Sequence, residues 1–257
     1  MHPTISLLKR LYSVTAKMSS NADKRVFIAC FPKSASTFLR NVVAEISGYA
    51  TEEVSVATSN DEQDIYLPAL IDVAFTPTSS RMHMRAKQSN VEIMQNCGLK
   101  PIVLVRNLFD VTISLRDHCR NVQILCLSDI GPSYNDASEK EQCDMVIDLI
   151  LPWYFSFFAS WQRVRQENSL ETLPISYEQM MSDKISTFRN VCNFYNIEAS
   201  DEKIQQAITA VEGDKKRSNF NVGKVGRGKK ELTDEQIERI IKMAGYFKDI
   251  DFSSIGI

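Results

Sequence analysis

The sequence is poor in the residues that hold metals and disulfides. It has three histidines and six cysteines among its 257 residues, and no two cysteines form a C-x-x-C pair. Zinc sites need closely spaced ligand pairs, and a disulfide scaffold of this length needs far denser cysteine. We therefore predict free thiols in a reducing, cytoplasmic compartment.

Two further absences narrow the function. Basic residues number 30 against 32 acidic ones, a formal net charge of −2, whereas general nucleic-acid binders usually carry a basic surplus. The most apolar stretch, residues 149–161, contains Pro152 and is too short to span a bilayer. The sequence predicts no membrane span and no nucleic-acid partner, although a local basic pocket is compatible with this composition.

The first twenty residues contain no acidic side chain. They carry Lys9, Arg10 and Lys17 with several serines and threonines, which faintly resembles an organelle transit peptide. No cleavage signal is evident, and this favours a basic N-terminal extension. We assign residues 1–24 to that extension and residues 25–257 to one domain, a length ample for a single core.

Short apolar runs alternate with helical patterns along the rest of the chain. Residues 26–31, 102–105 and 173–177 have the composition of buried strands, and residues 80–85 suit a further short strand. Helical spacing follows these runs. The alternation predicts an α/β fold, a single domain with a central, mainly parallel sheet flanked by helices, whose ligands bind beyond the carboxyl ends of the strands.

Three other segments have recognisable patterns. Trp153, Phe157 and Trp161 recur every four residues, as on one face of an amphipathic helix. Residues 120–145 and 212–231 look mostly irregular. After them, residues 233–236 have the S/T-x-x-E/Q spacing of a capping box at the start of a helix.

The polar turn after the first strand is a candidate anion site. Residues 31–38 read F-P-K-S-A-S-T-F and join a strand to a helix, where free backbone N–H groups and the helix dipole favour an anion. Lys33 and three hydroxyls surround that point, although the order differs from a Walker A loop. In the alternative interpretation, Ser34 or Ser36 merely caps the helix and Lys33 is solvated.

The turn after the second long strand carries a second set of polar residues. Arg106 ends the strand, and Ser114 follows two helical turns later. An arginine at this position can direct two N–H groups onto one phosphate. Alternatively, Arg106 pairs with Asp110 across the turn and Ser114 only packs.

These two turns resemble the cofactor motifs of the cytosolic-type sulfotransferases. Residues 33–38 (KSASTF) are similar to that family's 5′-phosphosulfate loop, P-K-[ST]-[GA]-[ST]-T-[WF]. Arg106, Asn107, Asp110 and Ser114 resemble its 3′-phosphate motif, R-N-P-x-D-x-x-x-S.

Three further elements follow the family order. His83 resembles the histidine of the K-x-H element, with Arg81 in place of the lysine, and residues 177–180 (YEQM) are similar to a Y-E-D-M stretch. Residues 223–229 resemble a G-x-x-G-x-x-K loop near the C-terminus. The resemblance covers residues 26–238, and the ordered set of five elements is far more specific than any single one.

The resemblance implies an enzyme with a P-loop-like nucleotide-binding core that uses 3′-phosphoadenosine 5′-phosphosulfate (PAPS). It would move the sulfuryl group to a hydroxyl or amine of a small-molecule acceptor, releasing 3′-phosphoadenosine 5′-phosphate (PAP), without a metal. His83 would be the general base and Lys33 would stabilise charge on the leaving phosphate oxygen. The implied cofactor contacts are Lys33, Ser34, Ala35, Ser36, Thr37, Phe38, Arg106, Ser114, Tyr177, Asn221, Val222 and Gly223.

Within that set, the roles divide by chemistry. Ser36 and Thr37 would hold the 5′-phosphate, and Arg106 with Ser114 the 3′-phosphate. Phe38 and Tyr177 would contact adenine, Phe38 by stacking.

Departures from the family pattern leave several points open. Asn221 and Val222 replace an Arg-Lys pair, and Gly228 replaces a tryptophan. The dimer signature K-x-x-x-T-V-x-x-x-E is only partly met by residues 229–238, so homodimerisation stays open. His118, one turn beyond Ser114, is the fallback base.

The acceptor and the reaction class also have alternatives. Residues 50–76, 120–150 and 153–161 are expected to form the acceptor pocket, whose rings would suit an apolar, phenolic or cationic compound or else simply belong to the core. A catalytically altered adenine-nucleotide-binding module is one rival function. Another P-loop-like phosphoryl-transfer enzyme is the other, and it would need a Mg²⁺-binding acid near the first turn.

Overall fold

A computed structural model describes residues 24–57, 61–121, 124–125, 128–218 and 225–257. Its centre is a five-stranded sheet in which every neighbouring pair is parallel. This confirms the predicted α/β class. The strands are β1 (Arg25–Cys30), β2 (Ala50–Thr51), β3 (Thr78–Met82), β4 (Pro101–Val105) and β7 (Leu173–Ser176), and β5 (Ile124–Leu125) pairs antiparallel with β6 (Ser128–Asp129).

The strand order is β2-β3-β1-β4-β7, so β1 lies in the middle of the sheet. All six residues of β1 are buried. Phe27 and Ala29 face one hydrophobic cluster, whereas Val26, Ile28 and Cys30 face the other. A strand covered on both faces has no polar side, and for that reason this run is continuously apolar rather than alternating.

Two strands differ from the sequence-based prediction. β3 begins at Thr78 and ends at Met82, so His83 lies one residue beyond the strand. Its sequence, TSSRM, is too polar to show the apolar alternation that predicts a strand. The strand forms because it pairs with β1 from Arg25↔Thr78 onward. β7 is an edge strand with an exposed Pro174, a residue that edge positions tolerate because it lacks an N–H.

Helices cover both faces of the sheet. Gly48 and Gly98 end the first and third of them with φ of 73° and 66°, the left-handed conformation expected of a C-terminal glycine. The helices are α1 (Ser36–Ser47), α2 (Leu67–Asp72), α3 (Gln88–Cys97), α4 (Leu108–Cys119), α5 (Glu139–Met145), α6 (Leu151–Gln166), α7 (Tyr177–Ser182), α8 (Lys184–Phe194), α9 (Asp201–Glu212), α10 (Lys215–Ser218), α11 (Gly228–Glu231) and α12 (Asp234–Ala244).

The regions expected to be irregular contain helices. α5 begins at a capping box on Ser138, and the short α10 and α11 lie within residues 212–231. α5 was missed because its seven residues, EKEQCDM, are mostly polar and show no clear apolar stripe. The capping box predicted for α12 is confirmed, since the Thr233 side chain accepts a hydrogen bond from the backbone of Gln236.

The aromatic helix α6 is part of the core. Trp153, Tyr154, Phe157 and Trp161 are all at most 6% exposed, and the Trp161 indole nitrogen donates to the backbone oxygen of Met84 at 3.0 Å. The rings therefore pack against one another and against the sheet. The interpretation of this stripe as core is the one that the structure supports.

α5 and α6 join through a π-helical turn, Val146–Ile150. Among the described residues, one helical span of 28 residues, Glu139–Gln166, is long and apolar enough to cross a membrane. The apolar run at residues 149–161 is shorter than this span, because the span also includes the polar helix α5. Yet 61% of the span's most apolar window is buried inside the protein, as in a core helix.

Five of the six cysteines lie in the described part of the chain. All five are free thiols, as predicted, and the structure shows that all five are buried: Cys30, Cys97, Cys119, Cys143 and Cys192. The sixth, Cys126, is outside the described residues, as is the basic extension up to residue 23.

A buried carboxylate on α4 binds the backbone at the start of α11. The two oxygens of Asp110 accept hydrogen bonds from the backbone N–H groups of Gly226 (2.7 Å) and Gly228 (2.8 Å). At Gly228 the two segments touch so closely that an added Cβ would lie 2.2 Å from the backbone of Phe109. The tryptophan that the family pattern places here has no room in this packing.

We expect Gly228→Ala to destabilise the fold by about 1–3 kcal/mol, because the new methyl group meets backbone that cannot move aside. Denaturant unfolding would measure this. Gly213→Ala is the matched control, since the nearest atom to its added Cβ, outside its chain neighbours, is a backbone oxygen at 3.4 Å. Equal stability of the two variants would contradict the close approach at residue 228.

Candidate active site

The loop after β1 has an unusual backbone. Lys33 and Ala35 both adopt the left-handed region, with φ of 65° and 64°, a conformation that costs free energy for residues with a Cβ and that clusters at binding sites. The Ser34 hydroxyl donates to the backbone oxygen of Phe31 at 2.6 Å. α1 has no side-chain cap, so the interpretation of Ser34 or Ser36 as a simple cap is wrong.

Arg106 connects the two polar turns directly. Its Nη1 donates to the backbone oxygen of Lys33 at 3.0 Å, and its guanidinium lies 4.2 Å from the ring centroid of Tyr177. Arg106 is 7% exposed. Asp110 meanwhile binds the Gly226 and Gly228 amides. The turns after β1, β4 and β7 thus meet at one corner of the sheet.

The charge of Lys33 is partly buried beside this corner. Burial lowers the pKa of Lys33, and the positive charge of Arg106 lowers it further. No carboxylate lies within ion-pair distance of the Lys33 ammonium among the described residues. A half-buried cation without a counter-ion is expected to bind an anion, because the anion replaces the lost hydration.

His83 is held in one tautomer. Its Nδ1 lies 3.0 Å from the backbone oxygen of Cys30, which can only accept, so Nδ1 carries the proton and Nε2 keeps the lone pair. Burial lowers the pKa of His83 to about 4, and the charges of Arg81 and Lys33 contribute to that lowering. At neutral pH the imidazole is therefore uncharged and able to accept a proton at Nε2.

Two residues that the sequence did not single out as site residues position the site. Gln63 is buried and binds both backbone groups of His83. Its side-chain oxygen accepts a hydrogen bond from the His83 backbone N–H at 2.8 Å, and its backbone N–H donates to the His83 backbone oxygen at 2.9 Å. Glu178 accepts from the backbone N–H of Asn107 at 3.1 Å. For Gln63 no motif exists in the sequence. Glu178 stands in the Y-E-D-M-like stretch, which was its only signal.

Phe38 and Tyr177 were predicted to contact adenine, and their surroundings in the structure differ. Phe38 is fully buried on the core side of α1, 6.0 Å from the ring of Phe188, so it has no exposed face for stacking and belongs to the core. Tyr177 lies under Arg106, and its buried hydroxyl has no hydrogen-bond partner within the described residues. An unsatisfied buried hydroxyl is expected to find a partner when a ligand binds.

The remaining predicted site residues divide between the loop, α4 and the undescribed segment. Ser36 and Thr37 form the first turn of α1, next to the left-handed Ala35. Ser114 lies on α4, one turn from Asp110 on the same helix face. The positions predicted at Asn221, Val222 and Gly223 lie outside the described residues.

His118 also faces the charge of Lys33. Burial lowers the pKa of His118 to about 4, and the Lys33 ammonium lowers it too. The Lys33 ammonium group therefore contributes to the low pKa of two imidazoles, His83 after β3 and His118 on α4. Within the described ranges, no group of three or more His, Cys, Asp or Glu side chains is arranged to hold a metal ion.

A model of the sulfotransferase domain family matches residues 23–246. The chain therefore belongs to the sulfotransferase family, which confirms the resemblance of its motifs. None of the curated proteins matches the sequence.

Solved structures show the same fold at low sequence identity. Mouse sulfotransferase SULT7A1 complexed with PAP has a TM-score of 0.67 and 15% identity, covering 94% of this chain and 91% of that one. Retinol dehydratase with androsterone and the inactive cofactor PAP has a TM-score of 0.62 and 15% identity, covering 94% and 87%. A second retinol dehydratase structure, with retinol and PAP, has a TM-score of 0.59 at the same identity and coverage.

The neutral His83 predicts a specific pH dependence of stability. Its folded pKa of about 4 lies below the ordinary histidine value of 6.5, so between these values the unfolded chain binds a proton that the folded protein does not. Stability then falls as the pH drops from 6.5 towards 4, with a contribution from His83 of about 1 kcal/mol per pH unit near pH 5.5. Denaturant unfolding of wild type and His83→Gln at several pH values would measure it, and identical slopes would contradict a buried neutral imidazole.

Proposed function

We propose that this protein transfers the sulfuryl group of PAPS to a hydroxyl or amine of a small-molecule acceptor in a reducing, cytoplasmic compartment. The observation that carries the proposal is the 3.0 Å hydrogen bond from Arg106 to the Lys33 backbone oxygen. It joins the turn expected to bind the 3′-phosphate to the turn expected to bind the 5′-phosphosulfate. The PAP bound in the similar structures supports the same nucleotide.

The residues at this corner fit a doubly phosphorylated adenosine. The uncapped N-terminus of α1 and the Lys33 ammonium suit the 5′-phosphosulfate end. Arg106 suits the 3′-phosphate, and Ser114 on the neighbouring helix would add a hydroxyl. The Tyr177 hydroxyl, buried without a partner in the described part of the chain, would gain one from the nucleoside.

In the proposed mechanism, His83 accepts the acceptor's proton at Nε2 while Nδ1 stays bonded to the Cys30 oxygen. The acceptor oxygen or nitrogen forms a bond to sulfur as the bond from sulfur to the 5′-phosphate oxygen breaks. Lys33 neutralises the negative charge that develops on the leaving oxygen. The ammonium group is already partly desolvated, so its stabilisation is larger than it would be in water.

A catalytically altered nucleotide-binding module is the second candidate. The replacement of the family's Arg-Lys pair by Asn221 and Val222 favours it. Lys33 and the fixed tautomer of His83 favour the enzyme, because a binding module has no need of a proton acceptor beside the ammonium group. A Mg²⁺-dependent phosphoryl-transfer enzyme would need acidic ligands close to the first turn.

We expect PAP to stabilise the protein equally with and without Mg²⁺, because the nucleotide contacts are made by cations and N–H groups. At a PAP concentration about a hundred times its dissociation constant, the free energy of unfolding rises by about 2.7 kcal/mol. A thermal-shift panel of PAP, ADP and ATP measures this.

Arg106→Gln should lose most of that shift, whereas Arg165→Gln, an exposed arginine on α6, should keep it. A preference for ATP with Mg²⁺ would instead support phosphoryl transfer. Sulfate incorporation from labelled PAPS into a panel of acceptors then separates the enzyme from the binding module.

We expect His83→Ala to lower kcat by about 10²–10⁴-fold while the stabilisation by PAP is retained, because the base contacts the acceptor rather than the nucleotide. Initial rates of sulfate transfer and the PAP thermal shift are the two measurements. His118→Ala is the parallel variant, and a larger loss of kcat there than at His83 would transfer the role of base to His118.

A further inference from the structure

Arg81 lies at the atom of His83 that must accept the proton. Its Nη1 is 3.4 Å from His83 Nε2. A guanidinium only donates, so this contact occupies the lone pair of the base. The Arg81 Nε is buried without a hydrogen-bond partner among the described residues, and no carboxylate there forms an ion pair with this side chain. A buried donor without a partner is expected to find one when a ligand binds.

The surroundings of Arg81 are positively charged. The charge of Lys33, like that of Arg81, contributes to the low pKa of His83. Burial lowers the pKa of Arg40 on α1, and the charge of Arg81 is the next largest cause of that lowering. Glu53 is half exposed and is paired with Arg40 at 3.0 Å. These four residues sum to three positive charges and one negative charge.

The other carboxylate near Lys33 is already neutralised. Asp117 lies within 2.8 Å of Arg116 and 2.9 Å of Arg227. His118 faces the same region as an uncharged group. The two negative charges of a 5′-phosphosulfate group would face Lys33 and the uncapped N-terminus of α1, whereas Arg81 lies beside the base.

Three aromatic rings near this corner belong to the core and offer no exposed apolar face to an acceptor. Phe31 packs against Tyr154 and Phe157 at centroid distances of 4.8 and 5.0 Å, and all three are fully buried. The described side chain in contact with Nε2 of His83 is Arg81.

We propose that Arg81 is a specificity-determining residue that binds an anionic group of the acceptor, so that the preferred acceptors are small hydroxylated carboxylates. This inference rests on the sulfotransferase activity proposed above. The acceptor's carboxylate draws the guanidinium away from Nε2, and the adjacent hydroxyl takes its place at the base. Neutral compounds such as the androsterone and retinol bound by retinol dehydratase would leave Arg81 on the imidazole.

The test compares acceptors that differ only in charge. The probes are 2-hydroxyphenylacetate and its amide, together with 3-hydroxybutyrate and its amide, in each of which the hydroxyl lies close to the carboxyl or amide group. Kinetics of sulfate transfer are measured for wild type, Arg81→Gln, Arg81→Lys and the control Arg165→Gln, which changes an exposed arginine on α6. Calorimetry of each probe with the PAP-loaded protein reports acceptor binding even where turnover is slow.

Wild type and Arg165→Gln should favour each carboxylate over its amide by about 10- to 100-fold, the range of one or two charge-assisted hydrogen bonds. Arg81→Gln should lose this preference through a higher KM for the carboxylate, with the amide unchanged or faster and the KM for PAPS unchanged. Arg81→Lys should retain part of it, because charge is kept and the bidentate geometry is lost.

Equal binding of carboxylate and amide to the PAP-loaded wild type, or binding of neither, would overturn the inference. So would an equal loss for both acceptors in Arg81→Gln with a raised KM for PAPS, since Arg81 would then act on the sulfuryl donor. Failure to bind PAP at all is a separate result, because it would overturn the proposed function and this inference together.

Discussion

The hydrogen bond between Arg106 and the Lys33 backbone oxygen is the contact on which the site depends. β1 and β4 are parallel neighbours in the middle of the sheet, so the turns after their last residues lie at the same edge. Residues 73 positions apart in the chain are thereby brought within 3.0 Å. The contact also helps to hold the left-handed backbone of Lys33, because a residue in that conformation persists only where the surrounding structure fixes it.

The site places several cations close to a few uncharged groups. Lys33 and Arg106 lie close enough to lower the pKa of the lysine, and Lys33 in turn contributes to the low pKa of both His83 and His118. Such an arrangement is unfavourable without an anion, because like charges repel in a partly desolvated space. This unfavourable repulsion is expected of a site that is stabilised when its ligand binds.

Part of the fold and of the site was predictable from local sequence patterns. The strand of residues 26–31, the helix that ends at Gly48 and the capping box at Thr233 are all confirmed, because each depends on residues near one another in the chain. β3 and α5 were misjudged, since TSSRM and EKEQCDM carry no strong periodicity. Phe38 was assigned to adenine from its place in a motif, yet its position on the inner face of α1 buries it against Phe188.

The sequence alone determined which residue types are present in order along the chain: a lysine and hydroxyls after one strand, a histidine after another, and an arginine after a third. Only the tertiary structure decided what these residues face. The tautomer of His83 depends on the Cys30 oxygen, its backbone position on Gln63, and the environment of its Nε2 on Arg81. These contacts come from strands and loops that meet through sheet pairing and packing, and no local pattern encodes such distances.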